Sequence, residues 1–233
     1  MSDADSILTD DPPAEPTPVP RWVLPVVLPP IVAVLIAGYV AGASWATMVT
    51  EHPLRLLALS PINRYLLLTT QYTSWWSYIS VAGIRHLIPD PFLYTLGFWY
   101  GRRAVVSLSE VYPGLKRIAG EDGSAIEDAS NRKMYYALAF LAPNNWVSLL
   151  CGAAKMPFGI FVALNISGTL SRLVLFRWLG DVFADQVVTI AEWVSRYQRP
   201  ITIAGIIIVV VTIGYHAKKG NSEIAAFARF GQK

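Results

Sequence analysis

Long stretches without a charged side chain alternate with short charged clusters along this chain. Asp, Glu, Lys and Arg are absent from 22 to 50, from 134 to 154 and from 200 to 217. The hydrocarbon core of a bilayer is about 30 Å thick, and a helix of about 20 apolar residues can cross it. Each of these stretches has about that length. The pattern therefore predicts an all-α integral membrane protein.

Four segments are predicted to cross the membrane as helices, at 22–42, about 91–108, 158–180 and 200–217. The segment from 181 to 199 looks amphipathic, which favours a position at the membrane interface. The segment from 65 to 84 has no charged residue but carries several Ser, Thr and Gln residues. Whether it also crosses stays open.

The composition agrees with a membrane protein, because 54% of the residues are hydrophobic, only 15% are charged and the mean hydropathy is +0.42. The membrane domain is expected at 21–217. Residues 1–20 form an acidic, Pro-rich tail that is predicted to be disordered. With both termini in the cytoplasm, that side holds twelve Lys and Arg residues against five on the other. This satisfies the positive-inside rule and places a loop at 102–133 and a tail at 218–233 in the cytoplasm.

The segment at about 134–155 is interrupted in its middle by Pro143, Asn144 and Asn145. Proline lacks a backbone donor and breaks a helix, and each polar group freed in hydrocarbon costs several kcal/mol. Such a break is tolerated where it is buried in protein or lines a wet cavity. The pattern favours a re-entrant hairpin with its tip at these residues. A kinked transmembrane helix is the alternative.

A second interrupted segment, at about 54–84, repeats this pattern. Leu59-Ser60-Pro61-Ile62-Asn63 and Leu141-Ala142-Pro143-Asn144-Asn145 share the order Leu-small-Pro-x-Asn. One predicted crossing separates the two hairpins, so they would enter the membrane from opposite faces as an inverted repeat. Paired interrupted segments of this kind indicate the binding site of a transporter.

Polar residues at membrane depth are the first candidates for function, because they are costly there. Asn165, Thr169 and Arg172 follow i, i+4, i+7 spacing and share one helix face. Asp90 is an isolated carboxylate that is predicted to carry a proton or to balance Arg172. In the structural alternative these two residues form only an ion pair, or Arg172 reaches the interface, as is also expected of Arg177.

Asn63, Arg64, Asn144 and Asn145 lie near the two predicted hairpin tips. Amide groups and an arginine can form a cradle for an anion such as phosphate. These residues and the polar face of the third crossing are therefore predicted to bind an anionic headgroup. In the alternative, the asparagines only cap broken helices.

Other kinds of chemistry have little support. Cys151 is the only cysteine, which excludes an intrachain disulfide, and the three histidines are too scattered for a metal site. No nucleophile–base pair lies at a plausible spacing. The chain is therefore predicted to be no enzyme, to bind no nucleic acid and to need no cofactor or metal.

Two stretches resemble the DedA family, whose shared region is called the VTT or SNARE-associated Golgi protein domain. "YTLGFWYGRR" is similar to the family's Gly-Tyr-Trp-Ile-Gly-Arg-Arg element. "FLAPNNWVSLLCGAAKMPFGIFVALNISGTLSRLVLFRWLGDVF" is similar to its second hairpin and following helix, with anchors at Pro143, Gly152, Met156, Phe161, Asn165, Gly168 and Gly180. The resemblance covers about 54–217. Where the family has arginines in the second hairpin, this chain has Phe140 and Trp146, and its first hairpin lacks the family's glutamate.

The resemblance implies a bacterial plasma-membrane transporter that moves an anionic lipid such as undecaprenyl phosphate, with proton coupling. Its partners would be membrane lipids, polyprenyl phosphate among them, and a homo-oligomer stays open. A small-solute or drug exporter on the same fold is one rival, which would depend on Asp90 and not on Arg172. A non-transporting membrane scaffold is the other, and the missing hairpin arginines favour it.

Overall fold

The computed structural model describes residues 19–109, 113–120, 123–126 and 131–219, and these are helical without any strand. The prediction of an all-α protein is thereby confirmed for this part of the chain. The predicted tails at 1–20 and 218–233 lie almost entirely outside the described residues, as does part of the predicted loop at 102–133. The α-helices are α1 (Val23–Glu51), α2 (Pro53–Leu59), α3 (Asn63–Leu68), α4 (Trp75–Leu87), α5 (Asp90–Tyr100), α6 (Arg102–Ser109), α7 (Pro113–Ala119), α8 (Arg132–Leu141), α9 (Asn145–Ala153), α10 (Phe158–Val182), α11 (Ala184–Arg196) and α12 (Gln198–Lys219). Short 3-10 turns lie at Thr70–Tyr72 and Ser124–Ile126.

Three of the described helices are long and apolar enough to cross a membrane, namely α1, α10 and α12 as far as Tyr215. They coincide with three of the four predicted crossings, so the chain is a membrane-associated protein. α1 packs along α12, where a Cβ added to Gly205 would lie 3.1 Å from the carbonyl oxygen of Gly42. Small residues of this kind let membrane helices approach closely. Large side chains of α12 such as Ile208 stay exposed, as suits contact with lipid.

The second predicted crossing, at 91–108, is not one helix. The chain turns at Gly101, whose φ of +51° separates α5 from α6. On its other side α5 nearly continues α4, because the two residues between them, Ile88 and Pro89, both have helical backbone angles. The stretch from 75 to 100 is therefore about 39 Å long at 1.5 Å per residue. Its prolines mark a bend, whereas the sequence pattern places a helix start there.

Both interrupted segments are broken at their prolines. α2 and α3 are separated by Ser60, Pro61 and Ile62, and α8 and α9 by residues 142–144. The segment from 65 to 84 is likewise no single helix, because it contains α3, a 3-10 turn and most of α4. The two breaks lie before α3 and before α9, and each separates two short helices of similar length, 7 and 6 residues at the first break and 10 and 9 at the second.

The buried apolar residues form two clusters. One joins the first half of α1 to α5–α9 and includes Phe161 of α10, and the other joins the second half of α1 to α2–α4 and includes Leu173 of α10. α1 and α10 thus run through both clusters. The polar face of α10 lies between Phe161 and Leu173, at the boundary where the two interrupted segments can meet.

The tightest helix crossing joins α5 to α9. A Cβ added to Gly97 would overlap the carbonyl oxygen of Leu149 and lie 2.9 Å from the amide nitrogen of Ala153, and one added to Gly152 would overlap the carbonyl oxygen of Tyr94. Only glycine lets the two backbones come this close. The crossing fixes α9, and with it the second break, against α5.

Gly97→Ala is therefore expected to destabilise the protein by about 1–3 kcal/mol, because the neighbouring atoms are backbone and cannot turn aside. The measurement is thermal unfolding in detergent. Gly214→Ala on α12 is the matched control, since a Cβ there meets nothing within 4 Å. A Gly97→Ala protein that melts with the control would contradict this view of the crossing.

Candidate functional site

Asp90 is a fully buried carboxyl group held by two neutral donors. It opens α5 and is 0% exposed. The Ser148 hydroxyl donates to Oδ1 at 2.9 Å, and the Asn165 amide donates to Oδ2 at 2.7 Å. Three separate elements, α5, α9 and α10, therefore meet at this group. We call Asp90, Ser148 and Asn165 the carboxyl cluster.

Arg172 lies between the two helix breaks and contacts both. Its Nη2 donates to the Asn63 side-chain oxygen at the first break, and its Nη1 lies 3.4 Å from the Pro143 carbonyl oxygen at the second. A proline break leaves carbonyl oxygens without helical hydrogen-bond donors. The guanidinium carries five donors and can supply the missing ones. The same Nη1 lies 3.4 Å from Nε2 of His86, which in turn lies 3.0 Å from the Pro143 oxygen. We call Arg172, His86, Asn63 and Pro143 the arginine cluster.

The two clusters are neighbours on α10. Thr169 lies between Asn165 and Arg172 along the helix face, is 1% exposed, and its hydroxyl has no hydrogen-bond partner among the described residues. The second break also links them, because the Ser148 hydroxyl lies 3.1 Å from the Asn144 carbonyl oxygen, next to Pro143. The site is thus one polar layer across the boundary between the two apolar clusters.

Asp90 and Arg172 do not pair in this arrangement. Within the described part of the chain, Asp90 accepts from Ser148 and Asn165, while Arg172 contacts neutral oxygens, an imidazole and the ring of Phe176. The ion pair that the sequence offered as a structural alternative is absent from these contacts. Each of the two ionisable groups keeps neutral partners, which is a costlier arrangement for a buried charge than an ion pair.

The remaining predicted residues divide into a cap and two surface positions. Asn144 caps α9, because its side-chain oxygen accepts from the Val147 amide at 3.0 Å. Asn145 is exposed at the start of α9. Arg64 is also exposed, donates to the Tyr65 hydroxyl at 2.8 Å and lies over the ring of Trp45.

Asn144→Ala is expected to lower stability by about 1 kcal/mol through loss of the cap, and Asn144→Ser to restore it, because serine caps equally well. Thermal unfolding in detergent measures both, with Asn145→Ala as the matched control. Transport by the serine variant then separates the two roles left open for Asn144. A role in headgroup binding needs the amide and predicts reduced transport by the serine variant. A pure cap predicts transport at the wild-type rate.

Ser148 and His86 are the site residues that the sequence analysis missed. Ser148 follows Asn144 by four residues, and His86 precedes Asp90 by four, so each shares a helix face with a predicted residue. For His86 this spacing is informative only if α4 and α5 form one helical stretch, and the sequence pattern does not predict that. Arg177 is 8% exposed, donates to the carbonyls of Thr70 and Thr73, and lies 3.6 Å from the carboxylate of Asp181, so its side chain is held against neighbouring protein groups.

Known protein families, curated proteins and solved structures were each compared with the chain, and none matches.

Proposed function

We propose that this chain is a plasma-membrane transporter of the DedA type, which moves an anionic lipid headgroup such as a polyprenyl phosphate through the layer formed by the two clusters. The proposed location is a bacterial inner membrane, and the proposed partners are membrane lipids. No enzymatic activity is proposed. It includes Asn63, Asn144, Asn165, Thr169 and Arg172 as the polar groups that the headgroup meets. Arg64 and Asn145 are exposed, as is Asn63, but neither hydrogen-bonds to Arg172, and they would act at the entrances.

One observation carries the proposal. Arg172 always bears its charge, and among the described residues its hydrogen-bond partners are an amide oxygen, a carbonyl oxygen and an imidazole. A guanidinium without a carboxylate at membrane depth has an unused capacity for an oxyanion, and two oxygens of a phosphate fit its planar fork. Its place between the two breaks is where a headgroup would pass.

The architecture supports alternating access. α2–α3 and α8–α9 would be re-entrant hairpins that enter from opposite faces, because one crossing, the stretch from 75 to 100, separates them. With α1, α10 and α12 this makes four crossings and leaves both termini in the cytoplasm. α11 would lie in the interface, since it buries Val187, Ala191 and Val194 and exposes Trp193.

Asp90 would be the proton carrier. Burial without a cationic partner makes ionisation of a carboxyl costly, and the two donors offset only part of that cost, so Asp90 can hold a proton and release it when water or a cation reaches it. The partnerless Thr169 hydroxyl, one turn from Asn165, gives such a water a polar contact. Proton movement at Asp90 and headgroup binding at Arg172 would be linked through the turn from Asn144 to Ser148, because this turn lies between the two clusters.

The test is flux of a fluorescent polyprenyl phosphate in proteoliposomes, against liposomes without protein and against a fluorescent lipid with a zwitterionic headgroup. Flux of the anionic lipid above both references is the expected result. Equal flux of the two lipids points to an unselective path, and no flux from protein shown to be folded contradicts the proposal.

A small-solute or drug exporter is the second candidate, because Asp90 without a cationic partner could also bind a cationic solute. It predicts that organic cations are moved, that Asp90 is decisive and that Arg172 is dispensable. The same proteoliposomes loaded with a fluorescent organic cation distinguish it.

A further inference from the structure

His86 is the unassigned group in the arginine cluster. It is partly buried at the end of α4, and its Nε2 lies 3.0 Å from the Pro143 carbonyl oxygen and 3.4 Å from Nη1 of Arg172. Nη1 also lies 3.4 Å from the same carbonyl oxygen. The three atoms form a triangle in which one carbonyl oxygen, which can accept two hydrogen bonds, faces the imidazole and the guanidinium.

The three pairs of atoms in this triangle cannot all be hydrogen-bonded at once. An imidazole nitrogen either carries a hydrogen and donates, or has a lone pair and accepts. If His86 donates to Pro143, it cannot accept from Arg172, which is only a donor. The shorter distance favours the bond from His86 to the carbonyl, and it leaves the guanidinium held on this side by a long contact.

We propose that His86 is a positioning residue that keeps the Pro143 carbonyl hydrogen-bonded when Arg172 turns from it to a phosphate monoester. The inference rests on the proposed function and deepens it. Without His86, each binding event would strip a buried carbonyl at the break of its donor, and an unsatisfied buried acceptor is costly. With His86, the exchange leaves the Pro143 carbonyl hydrogen-bonded and α9 in place.

The variants follow from this exchange. His86→Leu removes the donor, so Arg172 stays on the carbonyl and a polyprenyl phosphate is expected to bind roughly tenfold more weakly. His86→Gln places an amide donor near the position of Nε2 and is expected to bind as the wild type does. Stability without ligand should barely change in either variant, because Arg172 still serves Pro143. His52→Leu is the matched control, since His52 is exposed before α2.

The experiment measures the affinity of purified protein for a polyprenyl phosphate in micelles and for inorganic phosphate, together with melting without ligand. Wild-type binding of the lipid but not of free phosphate identifies the lipid headgroup as the source, and binding of both identifies phosphate itself. No wild-type binding of either contradicts the proposed function, and this inference falls with it. If the wild type binds, three results would overturn the inference. The leucine variant could bind with unchanged affinity, or the glutamine variant could bind as weakly as the leucine variant. The third is an unliganded leucine variant whose loss of unfolding free energy is as large as its loss of binding free energy. Should His86→Leu not fold, His86→Asn replaces it, because its shorter amide cannot reach the carbonyl.

Discussion

Replacing Arg172 with alanine is expected to reduce flux of a polyprenyl phosphate by roughly 10- to 100-fold, to nearly the level of empty liposomes. Hydrogen bonds to charged groups contribute about 1.5–3 kcal/mol, and each 1.4 kcal/mol is a factor of ten. Insertion into the membrane should survive, because alanine favours the helix and removes a charge that is costly within a span.

Loss of flux alone would not separate charge from structure, because Arg172 also holds Asn63 and Pro143. Arg172→Gln resolves this. Its amide can still donate to one of these oxygens, so stability is largely kept, but its neutral side chain cannot attract an anion. It is expected to be as inactive as alanine, and Arg172→Lys to be intermediate, because lysine keeps the charge and loses the planar fork.

The control for these variants is Arg196→Ala, which removes an exposed arginine at the end of α11. It should transport at the wild-type rate. An active glutamine variant would show that Arg172 acts only as a structural tie between the two breaks, and the headgroup would have to bind elsewhere.

The sequence predicts those parts of the fold and site that depend on local chemistry. The spacing of Asn165, Thr169 and Arg172 follows from helix geometry alone, and the structure keeps all three on α10. The pattern Leu-small-Pro-x-Asn occurs at Pro61 and at Pro143, and both interruptions appear where they are predicted, whereas Pro29 and Pro30, which lack this pattern, lie inside α1 without ending it. The apolar length of α1, α10 and α12 is likewise a local property.

The parts that the sequence does not predict depend on tertiary contacts. Nothing near Ser148 in the chain indicates that α9 would cross α5 closely enough to place its hydroxyl on Asp90. Arg177 near the end of an apolar helix has the pattern of an interfacial residue, and its contacts with the carbonyls of Thr70 and Thr73, more than 100 residues away in the chain, have no local signal. The residue at which the second crossing starts is ambiguous for a similar reason, because a proline can start a helix or bend one. Packing decides between the two.

Replacing Asp90 with asparagine is expected to uncouple transport from the proton gradient. Asparagine has the same shape and can keep hydrogen bonds to Ser148 and Asn165, the latter by turning its amide, so the protein should fold. It cannot take up or release a proton. An inward or outward pH gradient that accelerates flux in the wild type should then leave flux through the variant unchanged, and a pH-sensitive dye in the lumen should report no accompanying proton movement. Asp185→Asn, at an exposed position on α11, is the matched control and should stay coupled. Asp90→Leu tests the structural share, since Ser148 and Asn165 would both lose their acceptor at about 1–3 kcal/mol for each buried group. If Asp90→Asn still responds to the gradient, the carried proton lies elsewhere and Asp90 is only the anchor that joins α5, α9 and α10.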